Sequence, residues 1–258
     1  MSNNQDAKSL QLEVIDFELI KKRDPEEIRR VVEISSTTGI FFLDLRGPSS
    51  KETLANLKTI YKAEDDFFNR PLGEKFIYHE GGTNRGYNHR GSVDVFQISR
   101  EAELTGELRL SDELEAVRSE IEQVTSFSDA ALRDLYQALS LGLDPPAPIA
   151  QGEDPQKPGR SELTLARGSA PPKDVIVPEH RDEGLLSILY YEAPHLEIQN
   201  ATKNGWVLVQ PYEGLHPVYV AETLHRSSGG RLNAALHRVV QAEYNAAVAS
   251  YLLHPARA

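Results

Sequence analysis

The chain has 258 residues, enough for one large buried core, and its 40 % hydrophobic and 26 % charged residues exclude a disordered, collagen-like or coiled-coil chain. Its formal net charge of −11, with no basic patch to offset it, argues against nucleic acid and anionic lipid as partners. Cysteine is absent, which removes disulfides, thiolate metal sites, iron–sulfur clusters and cysteine nucleophiles.

In chain order, the polar opening Met1 to Gln11 lacks the apolar run of a secretory signal, and no segment reaches the ~18 apolar residues of a membrane span. A soluble, cytoplasmic protein is the expectation. Leu12 to Phe17 alternates and predicts a short strand. Asp24 followed by Glu27 has capping-box spacing and predicts a helix to about Ser36, closed by Gly39. Ile40 to Leu43 reads as a buried strand, and Lys51 to about Asn69 as a second helix with a Leu54, Leu57, Ile60, Tyr61 stripe, stopped by Pro71. Thr83 to Ser92 is a glycine-rich basic loop, either solvated or lining a pocket. Ser111 to Leu143 is helical, with an interruption expected near Ser126 and Ser128. Asp144 to Arg160 is a proline-rich connector.

The last hundred residues change character. Short runs rich in Val, Ile, Leu and Tyr predict strands near 161–167, 175–180, 185–191, 195–200, 205–210, 217–222, 231–242 and 247–253, with Asn204-Gly205 as a hairpin turn. The fold class is therefore α+β: a jelly-roll core behind an N-terminal helical cap. The chain divides into a cap (1–105), a long helix with connector (106–160) and the barrel (161–258), packed as one compact unit.

One constellation carries chemistry. His180 and Asp182 are two residues apart, and i and i+2 in a strand share a face. His237 lies in a later strand. Two imidazoles and one carboxylate on one face of a metal form the facial triad of non-haem iron(II), with positions left open for oxygen and an organic ligand. Alone, His-x-Asp is a weak signal.

Its surroundings are more specific. Residues 180–189 read HRDEGLLSIL, 195–199 HLEIQ, 204–206 NGW and 229–240 GGRLNAALHRVV. Nearer the start stand Val14-Ile15-Asp16-Phe17, the run Phe67 to Lys75 (FFNRPLGEK) and Arg85-Gly86-Tyr87. Together these resemble the isopenicillin N synthase-like family of non-haem iron oxygenases, most of which use 2-oxoglutarate, over nearly the whole chain. The resemblance implies a double-stranded β-helix and iron(II) held by His180, Asp182 and His237.

One departure stands out. The family carries an Arg-x-Ser nine to eleven residues after the distal histidine, and the arginine pairs with the far carboxylate of 2-oxoglutarate. Here that stretch is Ala246-Ala247-Val248, with no cation. A carboxylate in a dry barrel needs a partner, so 2-oxoglutarate binding is expected to be atypical or absent. Arg167 is the candidate for a relocated anchor, against the reading of a strand-end arginine in solvent. Tyr190, Tyr87 and Arg85 are further candidates for contact with substrate or cosubstrate. Arg231 and Arg238 read as structural, and Trp206 as a packed strand residue. His79 and His89 read as loop residues, and His195, His216, His225 and His254 as peripheral.

The resulting expectation is an iron(II) oxygenase or oxidase acting on a small organic molecule with O₂, in specialised-metabolite biosynthesis: hydroxylation, desaturation or ring formation. A non-oxidative cyclase or isomerase, or a ligand-binding protein on the same fold, is the second reading; a zinc hydrolase is a weaker third. The chain is expected to be a monomer or homodimer. Its early end at Ala258 suggests an open site or a cover from another subunit.

Overall fold

A computed structural model describes residues 12–81, 85–146, 154, 156, 157, 159–200, 205–244 and 246–256. The readings placed on Met1 to Gln11, Asn204 and the last two residues lie outside this set.

β1 (Val14–Asp16) is shorter than its alternation suggests, and its last residue, Asp16, caps α1 (Phe17–Lys21), accepting from the Leu19 amide. α2 (Pro25–Thr37) starts as read. Asp24 accepts from the amides of Glu26 and Glu27, and Pro25 fills the first turn. Gly39 follows at φ +72°, where a Cβ would meet the Asn233 carbonyl oxygen at 1.9 Å, so glycine is required there. β2 (Ile40–Asp44) and α3 (Lys51–Phe68) match their patterns, and α4 (Leu72–Lys75) follows Pro71.

The glycine-rich segment is not a plain loop. It forms β3 (Gly86–Arg90), which pairs with β4 (Val93–Ser99) across a tight turn at Gly91, φ +64°. α5 (Arg100–Thr105) and α6 (Asp112–Glu115) lead to α7 (Arg118–Gly142). The break falls at Ala116 and Val117, not at the serines. Ser128 stays helical because its hydroxyl bonds the Val124 carbonyl one turn back and the Tyr190 hydroxyl beyond.

The barrel follows: β5 (Glu162–Gly168), β6 (Val175–His180), β7 (Leu186–Tyr191), β8 (Leu196–Asn200), β9 (Gly205–Leu208), β10 (Leu215–Val220), α8 (Glu222–Ser227), β11 (His237–Val240) and β12 (Val248–Leu253). The expected strand over 231–242 shrinks to four residues. The chain before it is tied elsewhere: the Asn233 amide donates to the Ser35 carbonyl, and the Gln199 amide to that of Leu236.

Two sheets form the jelly roll. The large one runs β1-β2-β10-β7-β12-β5-β4-β3 and the small one β6-β11-β8-β9. Strands from the first hundred residues thus extend both edges of the sheet that the last hundred build. Side-chain alternation splits the large sheet cleanly. Leu163, Leu165, Ile188, Tyr190, Val218, Ala249 and Tyr251 face the helices and join the Ile121, Val124, Leu132, Leu135 and Leu139 stripe of α7. Each such fully buried leucine or isoleucine contributes about 1.5–3 kcal/mol. Phe42, Leu189, Tyr191, Tyr219 and Val248 face the small sheet, packed on Leu196 and Ile198.

Candidate metal centre

His180 closes β6 and His237 opens β11, and these strands pair antiparallel with the two histidines in register. Their rings lie 4.3 Å apart, tilted by 52°. Asp182 sits beyond the end of β6 rather than within it, turning its carboxylate back toward both rings. The His180 Nε2 is 3.5 Å and the His237 Nε2 3.8 Å from Asp182 Oδ1. One ligand atom from each of the three residues lies within 4.8 Å of the others.

The far sides of the rings fix which nitrogen carries hydrogen. His180 Nδ1 is 2.8 Å from the Pro178 carbonyl oxygen and His237 Nδ1 is 3.1 Å from that of Ala235. A carbonyl only accepts, so both Nδ1 atoms donate and both Nε2 atoms turn toward the carboxylate. In the neutral form, two nitrogen lone pairs and an anionic oxygen then converge with no hydrogen between them, an arrangement that a cation completes. Ligands side by side around a metal at about 2.1 Å stand about 3 Å apart, so the three need only a small inward shift. The donor set of imidazole and carboxylate suits iron(II).

Neighbours hold the group in place. Ser187 Oγ donates to Asp182 Oδ2, leaving Oδ1 for the imidazoles. The Tyr219 ring packs 4.6 Å from His237. His237 is 2 % exposed, whereas the His180 side chain is 36 % exposed, so the centre opens on the His180 side. Burial would push Asp182 up, but the His180 hydrogen bond, His237 and Ser187 outweigh it and hold the carboxyl below the usual range. Bonding to Asp182 raises His180; burial lowers His237 against the pull of Asp182.

The other candidates are not brought to this centre. Arg167 points to the helix side of the sheet, where Nη1 binds Asp65 Oδ1 and Asn69 Oδ1, each at 2.9 Å, and the guanidinium lies over Phe68. Tyr190 also faces the helices, its hydroxyl 2.7 Å from Ser128 Oγ. Tyr87 is buried on that side and donates to Asp94. Arg85 pairs with Glu101 at 2.9 Å. The reason is parity: with Leu163 and Leu165 in the helix-side core, Arg167 follows them, and Glu162, Thr164 and Ala166 turn inward. Tyr191, not Tyr190, is the inward tyrosine, and its hydroxyl binds the Val209 carbonyl. Arg238 stacks over Trp206 and pairs with Glu197, and Arg231 binds the carbonyls of Ser228 and Pro145. His195, His216 and His254 are buried rather than peripheral, and none joins the triad.

One inward row of the large sheet is apolar. Val95, Ala166, Val248 and Tyr191 pair in one inward row across β4, β5, β12 and β7, and this row brings no lysine or arginine. On β3 the inward guanidinium of Arg90 is held on Gln97 Oε1 at 2.8 Å. A cavity of about 780 Å³ elsewhere, between α3 and the far ends of β2, β7 and β10, is lined by Leu54, Lys58, Tyr61, Tyr191 and His216 and lies away from the triad.

No family model matches the chain. It is 28 % identical over 251 residues to a 2-oxoglutarate-dependent dioxygenase of Gibberella zeae, covering 92 % of this chain and 76 % of the relative. It is 25 % identical over 256 residues to another so named from a Dothideomycetidae species, covering 93 % and 79 %. Among solved structures, a full-length Neurospora crassa protein in complex with alpha-KG and 5-formyluracil shares the fold with a TM-score of 0.77 at 19 % identity, over 97 % of this chain and 86 % of that one. The rice dioxygenase for auxin oxidation does so with a TM-score of 0.74 at 20 % identity, over 95 % and 84 %. In sequence the chain is similar to proteins named 2-oxoglutarate-dependent dioxygenases, an iron oxidoreductase class, and it shares its fold with a structure that binds alpha-KG. Among the described residues no helix is long and apolar enough to cross a membrane.

Proposed function

We propose that the protein is an iron(II) dioxygenase in which His180, Asp182 and His237 hold the metal and a small organic molecule is oxidised, by family analogy in specialised-metabolite biosynthesis. The convergence of two Nε2 atoms and one carboxylate oxygen, each imidazole oriented by a backbone carbonyl, carries this reading. Bound iron would supply O₂ activation and the oxidation of a C–H bond. The chain's own residues orient and shield. Ser187 aims the carboxylate, Tyr219 covers His237 from one side, and the inter-sheet core of Leu189, Leu196 and Ile198 keeps water from the barrel floor.

We further propose that 2-oxoglutarate, the cosubstrate in the names of the relatives, is held here without the arginine that the family places after the distal histidine, and weakly. The apolar row Val95, Ala166, Val248 and Tyr191 supports this. Anaerobic titration of the iron-loaded protein with 2-oxoglutarate tests both parts, read by the visible charge-transfer band of the chelate. The expected result is iron bound by the wild type and lost in His180→Ala, Asp182→Ala and His237→Ala, each still folded, with a band that saturates only at high 2-oxoglutarate. Unchanged iron content in all three variants would overturn the ligand set. Tight saturation would overturn the atypical anchoring.

A further inference from the structure

The inward face of the large sheet has a second character next to the triad. In the row that contains Ser187, Ser187 pairs with Leu252, and Leu252 with Glu162. Cross-strand partners point to one face, so Glu162 projects on the same side as the serine that holds Asp182. Two strand spacings separate Glu162 from Ser187, about 10 Å. That is the length of a small molecule, not of the barrel.

Glu162 is half-buried and oriented by a directed chain of donors. Arg90, at the inward end of β3, donates from Nη2 to Gln97 Oε1 at 2.8 Å. This turns the Gln97 amide so that Nε2 donates to Glu162 Oε1 at 2.7 Å. Among the described residues Gln97 is the sole side-chain partner of Glu162. Three arginines also pull on the Glu162 carboxylate, Arg90 foremost, then Arg160, which pairs with Glu183 at 3.1 Å, and Arg85, which pairs with Glu101 at 2.9 Å. Burial pushes the Glu162 carboxyl up, against the Gln97 bond and those cations. An ionised carboxylate offers only acceptors. Its second oxygen therefore asks for a donor, and in a half-desolvated place a cationic donor compensates the charge where a hydroxyl does not. The chain's net charge of −11 favours the approach of a cation as well.

We propose that Glu162 is the substrate-recognition residue of this site and binds a protonated amine, so that the substrate is an amine-bearing small molecule whose nitrogen end sits on Glu162 and whose other end reaches the triad. This rests on the metal reading above. Gln97 and Arg90 are positioning residues: they fix Glu162 and do not touch the substrate.

The test uses three probes of one shape, benzylamine, benzyl alcohol and benzoate, on the full chain. Binding is read by saturation-transfer NMR on the metal-free protein, then by broadening of the probe's ring protons after Mn(II) is added. Benzylamine is expected to half-saturate at least tenfold below benzyl alcohol, with benzoate silent. Glu162→Gln and Glu162→Ala are expected to erase the difference at unchanged thermal midpoint, and Mn(II) to broaden benzylamine in the wild type only. Equal binding of the three probes, or a preference that survives both substitutions, overturns the assignment. A preference without broadening, while Mn(II) is bound by electron paramagnetic resonance, overturns it as a substrate contact. Failure of Mn(II) to bind overturns the metal reading separately, because the metal-free arm still decides what Glu162 binds.

Discussion

Ser187→Ala removes one oxygen atom and probes how the carboxylate ligand is held. Ser187 is 1 % exposed and donates to Asp182 Oδ2, so that Oδ1 remains 3.5 and 3.8 Å from the two Nε2 atoms. A hydrogen bond to a charged group is worth about 1.5–3 kcal/mol. Part of that is recovered when a metal itself fixes the carboxylate, and loss of an outer-shell partner typically costs about 10–100-fold in metal affinity. The expectation is therefore a rise of about 10–100-fold in the iron(II) dissociation constant, or about 1.4–2.7 kcal/mol. Anaerobic competition with a chromophoric chelator measures it. Ser250→Ala is the control: Ser250 shares the inward face, opposite Leu189, but makes no hydrogen bond to the triad. An affinity within about threefold of wild type for Ser187→Ala, or an equal loss in the control, refutes the reasoning.

Three further outcomes are expected. Burial pushes the His216 imidazole down to about 4 from 6.5, so the unfolded chain takes up a proton that the folded chain refuses. The stability this supplies is present above pH 6.5 and is lost as pH falls toward 4, about 3 kcal/mol in all. His216→Leu should flatten that acid limb in denaturant titrations, and an unchanged limb would count against it. Asp94→Ala should cost about 3–5 kcal/mol, because it strands the buried Lys75 ammonium, whose Nζ lies 2.8 Å from Asp94 Oδ2. The same substitution in a Lys75→Met background should cost far less, and equal costs would show that the pair is not coupled. Arg167→Ala should leave iron and 2-oxoglutarate affinity unchanged and cost at most about 1 kcal/mol, since its partner Asp65 is 61 % exposed. A clear loss of 2-oxoglutarate affinity would return Arg167 to the barrel.

What could be read in the sequence followed the reach of the signal. The candidate metal residues are legible because a ligand set is a local statement: His180 and Asp182 stand together, and His237 follows a turn with its own glycines. The helices α2, α3 and α7 are legible because their stripes repeat over several turns. The hairpin of β3 and β4 was hidden because Arg85 to Ser92 is polar and glycine-rich, and only its pairing with β5 shows it as strand. The segment 231–236 reads as strand by composition but gives its amides to Ser35 and other neighbours, a long-range choice that no local pattern announces.

The facing of side chains was within reach and decides the most. Leu163 and Leu165 are the apolar members of β5, so the strand's other face had to carry Glu162, Thr164 and Ala166. A guanidinium at 167 belongs with the leucines, and its neighbours on α3, Asp65 and Asn69, were already on a helix that must cover that side. The same parity divides the inward face in two. Toward Tyr191 it is apolar and packed between the sheets; toward Ser187 it carries Gln97, Glu162 and the serine that holds Asp182. On the proposal that Glu162 reads the substrate, the polar end is where the barrel discriminates among molecules. Substitutions there should change which molecule is bound, whereas substitutions along the Val95–Tyr191 row should change how well the two sheets pack.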